Sequence, residues 1–143
     1  MARRGWTLVA DRPADASGEL VIAAAVQGAD GYVYHFTHDG VLHRWTGSQW
    51  ERLPDAPTDA GQYCYVRAYR LADGRLCFVG WTDGNPALPC AAIYDPEAGT
   101  WSPQYVPTET SVFDRFPQHV LSARHPDGRI LVIGQCVRWV DNV

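Results

Sequence analysis

The chain has 143 residues and a formal net charge of −4, with 12 Lys and Arg interspersed among 16 Asp and Glu. That balance excludes an electrostatic nucleic-acid surface. No apolar stretch approaches the roughly 20 residues of a membrane helix, and Met1-Ala2-Arg3-Arg4 leads into no signal-peptide core, so the expectation is a cytoplasmic protein that meets no membrane.

Abundant Trp, Tyr, Val, Gly and Pro, without long amphipathic helical runs, point to an all-β fold in one domain. In chain order, the first unit predicts a strand over 20–27, a turn at Asp30-Gly31, a strand over 32–37 and a third over 41–46, leading to Trp50. The second repeats this with 63–71, Asp73-Gly74, 75–80, 91–94 and Trp101; the third with 119–125, Asp127-Gly128, 129–134 and 136–140. Asp-Gly between apolar runs is a strong hairpin signal, because Gly accepts the positive φ that a tight turn needs. Trp6, Trp50 and Trp101 lie 44 and 51 residues apart, and the Asp-Gly pairs 43 and 54 apart, periods that mark propeller-type repeats. Each unit is a small sheet that cannot bury both faces alone.

Ala92-Ile93-Tyr94-Asp95-Pro96-Glu97-Ala98-Gly99-Thr100-Trp101 is similar to the signature of the kelch-repeat β-propellers, in which a Tyr-Asp-Pro turn leads to Trp. Asp127-Gly128-Arg129-Ile130-Leu131-Val132-Ile133-Gly134 resembles the inner hairpin of that family. The family's double glycine at the end of the second strand is replaced by Thr37-His38, Gly80-Trp81 and Gly134-Gln135. The resemblance covers nearly the whole chain and implies three four-stranded, kelch-like blades. Kelch-like propellers include protein-interaction modules, sugar-epimerising enzymes and copper-dependent enzymes, so the fold alone selects no function.

The units are expected at about 7–50, 51–101 and 102–143, a single half-propeller domain over 1–143. The third lacks the outer strand with its Trp, and the segment around Trp6 offers one. Propellers hold four to eight blades. Two copies would therefore close a six-bladed ring as a homodimer, the strand at 1–6 of each completing the third blade of the other; the alternative is an open fragment completed by another chain.

Cys64, Cys77, Cys90 and Cys136 are at least 13 residues apart and read as buried thiols rather than metal ligands. His35, His38, His43 and Asp39 suggest a metal cluster, but on a hairpin their convergence depends on register. His35 stands where Phe78 and Val132 are apolar, and is read as a half-buried histidine and a candidate ligand contact. No metal and no cofactor are expected.

Arg67 aligns with Ala24 and Leu121 on the innermost strand, where a guanidinium is either paired or faces an anion. Gln27, Arg70 and Arg124 align near the end of that strand, so Arg67, Arg70 and Arg124 are candidate anion ligands. The loop Trp81-Thr82-Asp83-Gly84-Asn85-Pro86 and the seventeen residues 102–118 fall on one face, and loops beyond about 12 to 15 residues tend to be functional or disordered. From them Trp81, Asp83, Tyr105, Phe113 and Arg115 are candidate ligand contacts, while His119, Asp114 and Arg67 are candidate acid/base residues, with Glu109 nearby. No GxSxG, GxxxxGK[ST], HExxH or GxGxxG motif is present.

The favoured function is a binding module for a small polar or anionic molecule, or for a protein segment. The alternatives are a small isomerase, lyase or cyclase of specialised metabolism, and a sugar-binding lectin using Trp45, Trp81 or Trp139 as stacking platforms.

Overall fold

A computed structural model describes residues 11, 13, 24–83, 88–106, 121–127, 129–133 and 137–140. Short strands punctuated by turn residues order into three antiparallel sheets. The first holds β1 (Ala24–Gln27), β2 (Val33–Phe36), β3 (Leu42–Trp45) and β4 (Trp50–Arg52) in sequential order. The second holds β5 (Tyr63–Arg70), β6 (Leu76–Thr82), β7 (Pro89–Asp95) and β8 (Thr100–Trp101) in the same order. The third holds β9 (Leu121–Arg124), β10 (Ile130–Ile133) and β11 (Val137–Val140). The fold is all-β, and no helix among the described residues is long and apolar enough to cross a membrane.

One device repeats at each inner hairpin. Asp30, Asp73 and Asp127 each accept, through Oδ1, the backbone N–H two residues on, from Tyr32, Arg75 and Arg129 at 3.0–3.1 Å. The loops close between Gly28 and Tyr32, Leu71 and Arg75, and His125 and Arg129. They are thus three-residue loops rather than two-residue turns, with Gly31 and Gly74 at φ 85° and 91°. A left-handed glycine at the third loop position lets a type I turn feed the twist of the strands. The Tyr94-to-Trp101 turn is fixed likewise, by Asp95 Oδ1 accepting from the N–H of Glu97 and Ala98 and by Gly99 at φ 69°.

The pleat sends alternate residues to opposite faces, so each sheet can pack on both sides. Tyr34, Phe36 and Leu42 of the first sheet meet Leu76, Phe78, Cys90, Ala92 and Tyr94 of the second in one core. Phe36 stacks on Phe78 with ring centroids 4.5 Å apart, and Trp101 lies 5.7 and 5.6 Å from the two rings. Aromatic pairs of this geometry add about 0.5–1.5 kcal/mol each beyond area burial. The opposite face of the second sheet, with Cys77, Val79, Trp81, Ala91 and Ile93, forms a second core with Ile130 of the third. The sheets therefore stack in chain order, and the inner strands β1 and β5 lie side by side.

The second hairpin departs most from the sequence reading: β6 runs on through Trp81 and Thr82, which pair with Cys64 and Tyr63 at the start of β5, and β7 starts at Pro89, opposite Trp81. Tyr105, expected in a loop, exchanges two backbone hydrogen bonds with Ala91 (3.0 and 2.8 Å) and so extends the outer edge of the second sheet.

Candidate functional site

The inner strands bring the arginines into register. Gln27, Arg70 and Arg124 sit opposite Val33, Leu76 and Ile130, the first residues of β2, β6 and β10. Arg67 lies three residues before Arg70, opposite Val79, where the other units have Ala24 and Leu121. All four long polar side chains are exposed. Arg67 Nη1 donates to the carbonyl of its neighbour Val66 (3.1 Å), and Arg70 Nη1 reaches across to the Gly28 carbonyl of the first sheet (3.4 Å).

Among the described residues, no carboxylate pairs with Arg67, Arg70 or Arg124. Four other arginines among the described residues differ: Arg44 pairs with Glu51, Arg52 with Asp55, Arg75 with Asp73 and Arg129 with Asp127. The Arg44 guanidinium, held by Glu51, is pushed further up in pKa, and the Asp127 carboxylate is lowered, chiefly by its bond from Arg129. These neutralised pairs occupy hairpins and outer strands. The inner strands carry the three cations left with carbonyl or solvent partners among the described residues.

A β-bulge shapes this strand. Register shifts between Cys64 and Arg67, and Tyr65 within it takes φ 53°. A non-glycine residue in that region is strained, and bulges re-aim side chains. Gly80 accommodates it: a Cβ there would lie 2.6 Å from the Cys64 carbonyl oxygen. Gly80 is thus explained by close approach of the bulged backbone.

The other predicted site residues separate. Trp81 is 1% exposed in the core, so it forms no pocket wall and no stacking platform. The correction follows from the lengthened β6, which places it opposite Cys64 and Pro89. Asp83 is exposed but serves the backbone, with Oδ1 accepting from Gln62 N–H (2.9 Å) while its own N–H donates to the Gln62 carbonyl (3.2 Å). Tyr105 is 53% exposed on the outer edge, away from the inner strands. His35 faces His43 across β2 and β3, with ring centroids 6.3 Å apart, and Trp50 lies 5.9 Å away. Glu109, Phe113, Asp114, Arg115 and His119 lie outside the described residues.

Tyr65 and Gly80 were not singled out in the sequence. The only signal was Gly80, present where a second glycine was lacking.

Thiol chemistry finds little support. Cys64, Cys77 and Cys90 are free and buried. Desolvation pushes Cys77 and Cys90 up to about 12, and it raises Cys64 with a further contribution from the Asp83 charge. His38 Nδ1 is 3.7 Å from Cys64 Sγ and 2.6 Å from the Tyr63 carbonyl. That carbonyl can only accept, so Nδ1 carries the proton and is no base for the thiol. Among the described residues, no three His, Cys, Asp or Glu converge as a metal-binding group.

At the hairpin end of the inner strands, beside Arg70, the hairpins of the first two sheets and the Asp95 turn form a cleft of about 230 Å³ lined by Asp30, Asp73, Asp95 and Glu97. Three of its carboxylates already accept backbone N–H bonds within their own turns.

No protein-family model and no curated protein matches the chain. Among solved structures it is similar to a fungal alcohol oxidase with catalytic diversity among the AA5 family, in complex with copper, at 16% identity and a TM-score of 0.57. The match covers 77% of this chain and 24% of the oxidase, so the chain spans about a quarter of that protein's length. The likeness is one of fold.

Proposed function

We propose that this chain is a half-propeller of three kelch-like blades, closed into a six-bladed ring by a second copy, and that it is a binding module for a small anionic molecule taken up along the inner strands. The observation that carries the ligand is the set Arg67, Arg70 and Arg124: exposed, in repeat register, and without a carboxylate partner among the described residues. Charge-assisted hydrogen bonds from guanidinium to carboxylate or phosphate contribute about 1.5–3 kcal/mol each. The stacking of three repeated sheets with β1 beside β5 supports the blade reading. Free thiols at Cys64, Cys77 and Cys90 suit the reducing cytoplasm proposed as its compartment.

The test is calorimetric titration with citrate and inorganic phosphate, with glucose as the neutral control. The polyanions should bind, their affinity should fall with added salt, and Arg67→Gln and Arg70→Gln should each weaken them about tenfold, equivalent to ~1.4 kcal/mol. Absence of polyanion binding at millimolar concentration, or unchanged affinity in both variants, would sink the reading.

A further inference from the structure

Within the chain, a sheet face that looks back along the stack is covered by the sheet before it. In the second sheet, Leu76 and Phe78 of β6 look back onto the first and are both 0% exposed. Their register equivalents in β2 are Val33 and His35, since Val33 and Leu76 each stand opposite the last residue of the inner strand. Val33 is 37% exposed and His35 only half-buried.

The outer part of this same face is already covered, in the manner of the second sheet. Trp50 Nε1 donates to the Asp11 carbonyl as Trp101 Nε1 donates to that of Pro54, both at 2.7 Å. Pro13 is buried, as is Ala56 two residues beyond Pro54. Asp11 and Pro13 thus stand to the first sheet as Pro54 and Ala56 stand to the second, and among the described residues no preceding sheet covers the inner part of the first.

The third sheet has the complementary composition. Tyr34, Phe36 and Leu42 in the first sheet, and Cys77, Val79 and Ala91 in the second, are the positions that cover the following sheet. The equivalent positions in β10 and β11 are Leu131, Ile133 and Val137, with Trp139 paired to Leu131. All four are apolar.

We infer that the back face of the first sheet, centred on Val33 and His35, seats the third sheet of a second copy, reciprocally, so that two chains close head to tail. The contact continues an interface made twice inside the chain, first sheet on second and second on third. This rests on the half-propeller reading proposed above. It adds the contact surface, with His35 standing where the second sheet has Phe78 and the third has Val132, and it brings the inner-strand arginines of both copies around one axis.

Sedimentation equilibrium on the full chain, Val33→Asp and Val33→Leu tests it, with citrate titrated into each. The unmodified chain and Val33→Leu should have a mass near twice 15.9 kDa. Val33→Asp, folded by circular dichroism because position 33 is open in the single chain, should raise the dimer dissociation constant at least a hundredfold. A monomeric unmodified chain, an open-ended polymer, or a Val33→Asp variant that dimerises equally well would each overturn the inference. Citrate binding that fails while the Val33-dependent dimer persists would remove the ligand and leave the interface intact.

Discussion

Replacing Gly80 by Ala should destabilise the fold, although alanine ordinarily favours a strand over glycine. The added Cβ would lie 2.6 Å from the Cys64 carbonyl oxygen and 3.4 Å from Val66 Cγ2. Carbon–oxygen contacts settle near 3.3–3.6 Å, so the bulged strand must retreat by about 0.7 Å. The nearest obstacle is backbone, in a strand already bent through Tyr65 at φ 53°, and it cannot swing aside as a flexible side chain would. Overpacking costs about 1–3 kcal/mol. The lost freedom of glycine in the unfolded chain offsets about 0.5 kcal/mol of that. A net loss of about 1–2 kcal/mol lowers Tm by about 3–8 °C for a domain of this size. Calorimetric melting of Gly80→Ala beside the unmodified protein measures it. A Tm equal to or above that of the parent would refute the close-approach account of the bulge.

Alkaline stability follows from the buried thiols. An unfolded chain releases the Cys77 and Cys90 protons near pH 9, whereas the folded chain, with both raised to about 12, retains them. Their contribution is therefore complete below pH 9 and is lost as pH rises toward 12, at about 1.4 kcal/mol per pH unit for each thiol. Urea midpoints at pH 8, 9.5 and 10.5 should fall progressively, and a Cys77→Ala, Cys90→Ala double variant should show a shallower fall. Trp101→Phe keeps an aromatic ring among Phe36, Phe78 and Tyr94 but loses the N–H donated to Pro54. It should cost about 0.5–1.5 kcal/mol, read as a lower urea midpoint with an unchanged slope.

The hairpins were legible because each depends on two adjacent residues with one job apiece. Asp30, Asp73 and Asp127 cap the amide two positions on, and Gly31 and Gly74 take the positive φ. The alignment of Gln27, Arg70 and Arg124 was legible for the same reason, since a fixed loop length fixes register. Trp81 was misread because the second strand was ended at Gly80, where the kelch signature it resembles has its glycines. The strand instead runs on past the bulge at Tyr65 to pair with Cys64 and Tyr63, and a tyrosine side chain carries no signal for a left-handed backbone. Tyr105 was misread because its pairing with Ala91 is made entirely by backbone atoms, which any residue supplies.

The most direct measurement is maleimide labelling of Val33→Cys across a protein dilution series, followed at the peptide carrying residue 33. Head-to-tail closure predicts slow labelling at high concentration that accelerates on dilution, as the second copy leaves the back face of the first sheet. Labelling that is fast and independent of concentration would mean that nothing covers Val33, and would contradict the closed ring.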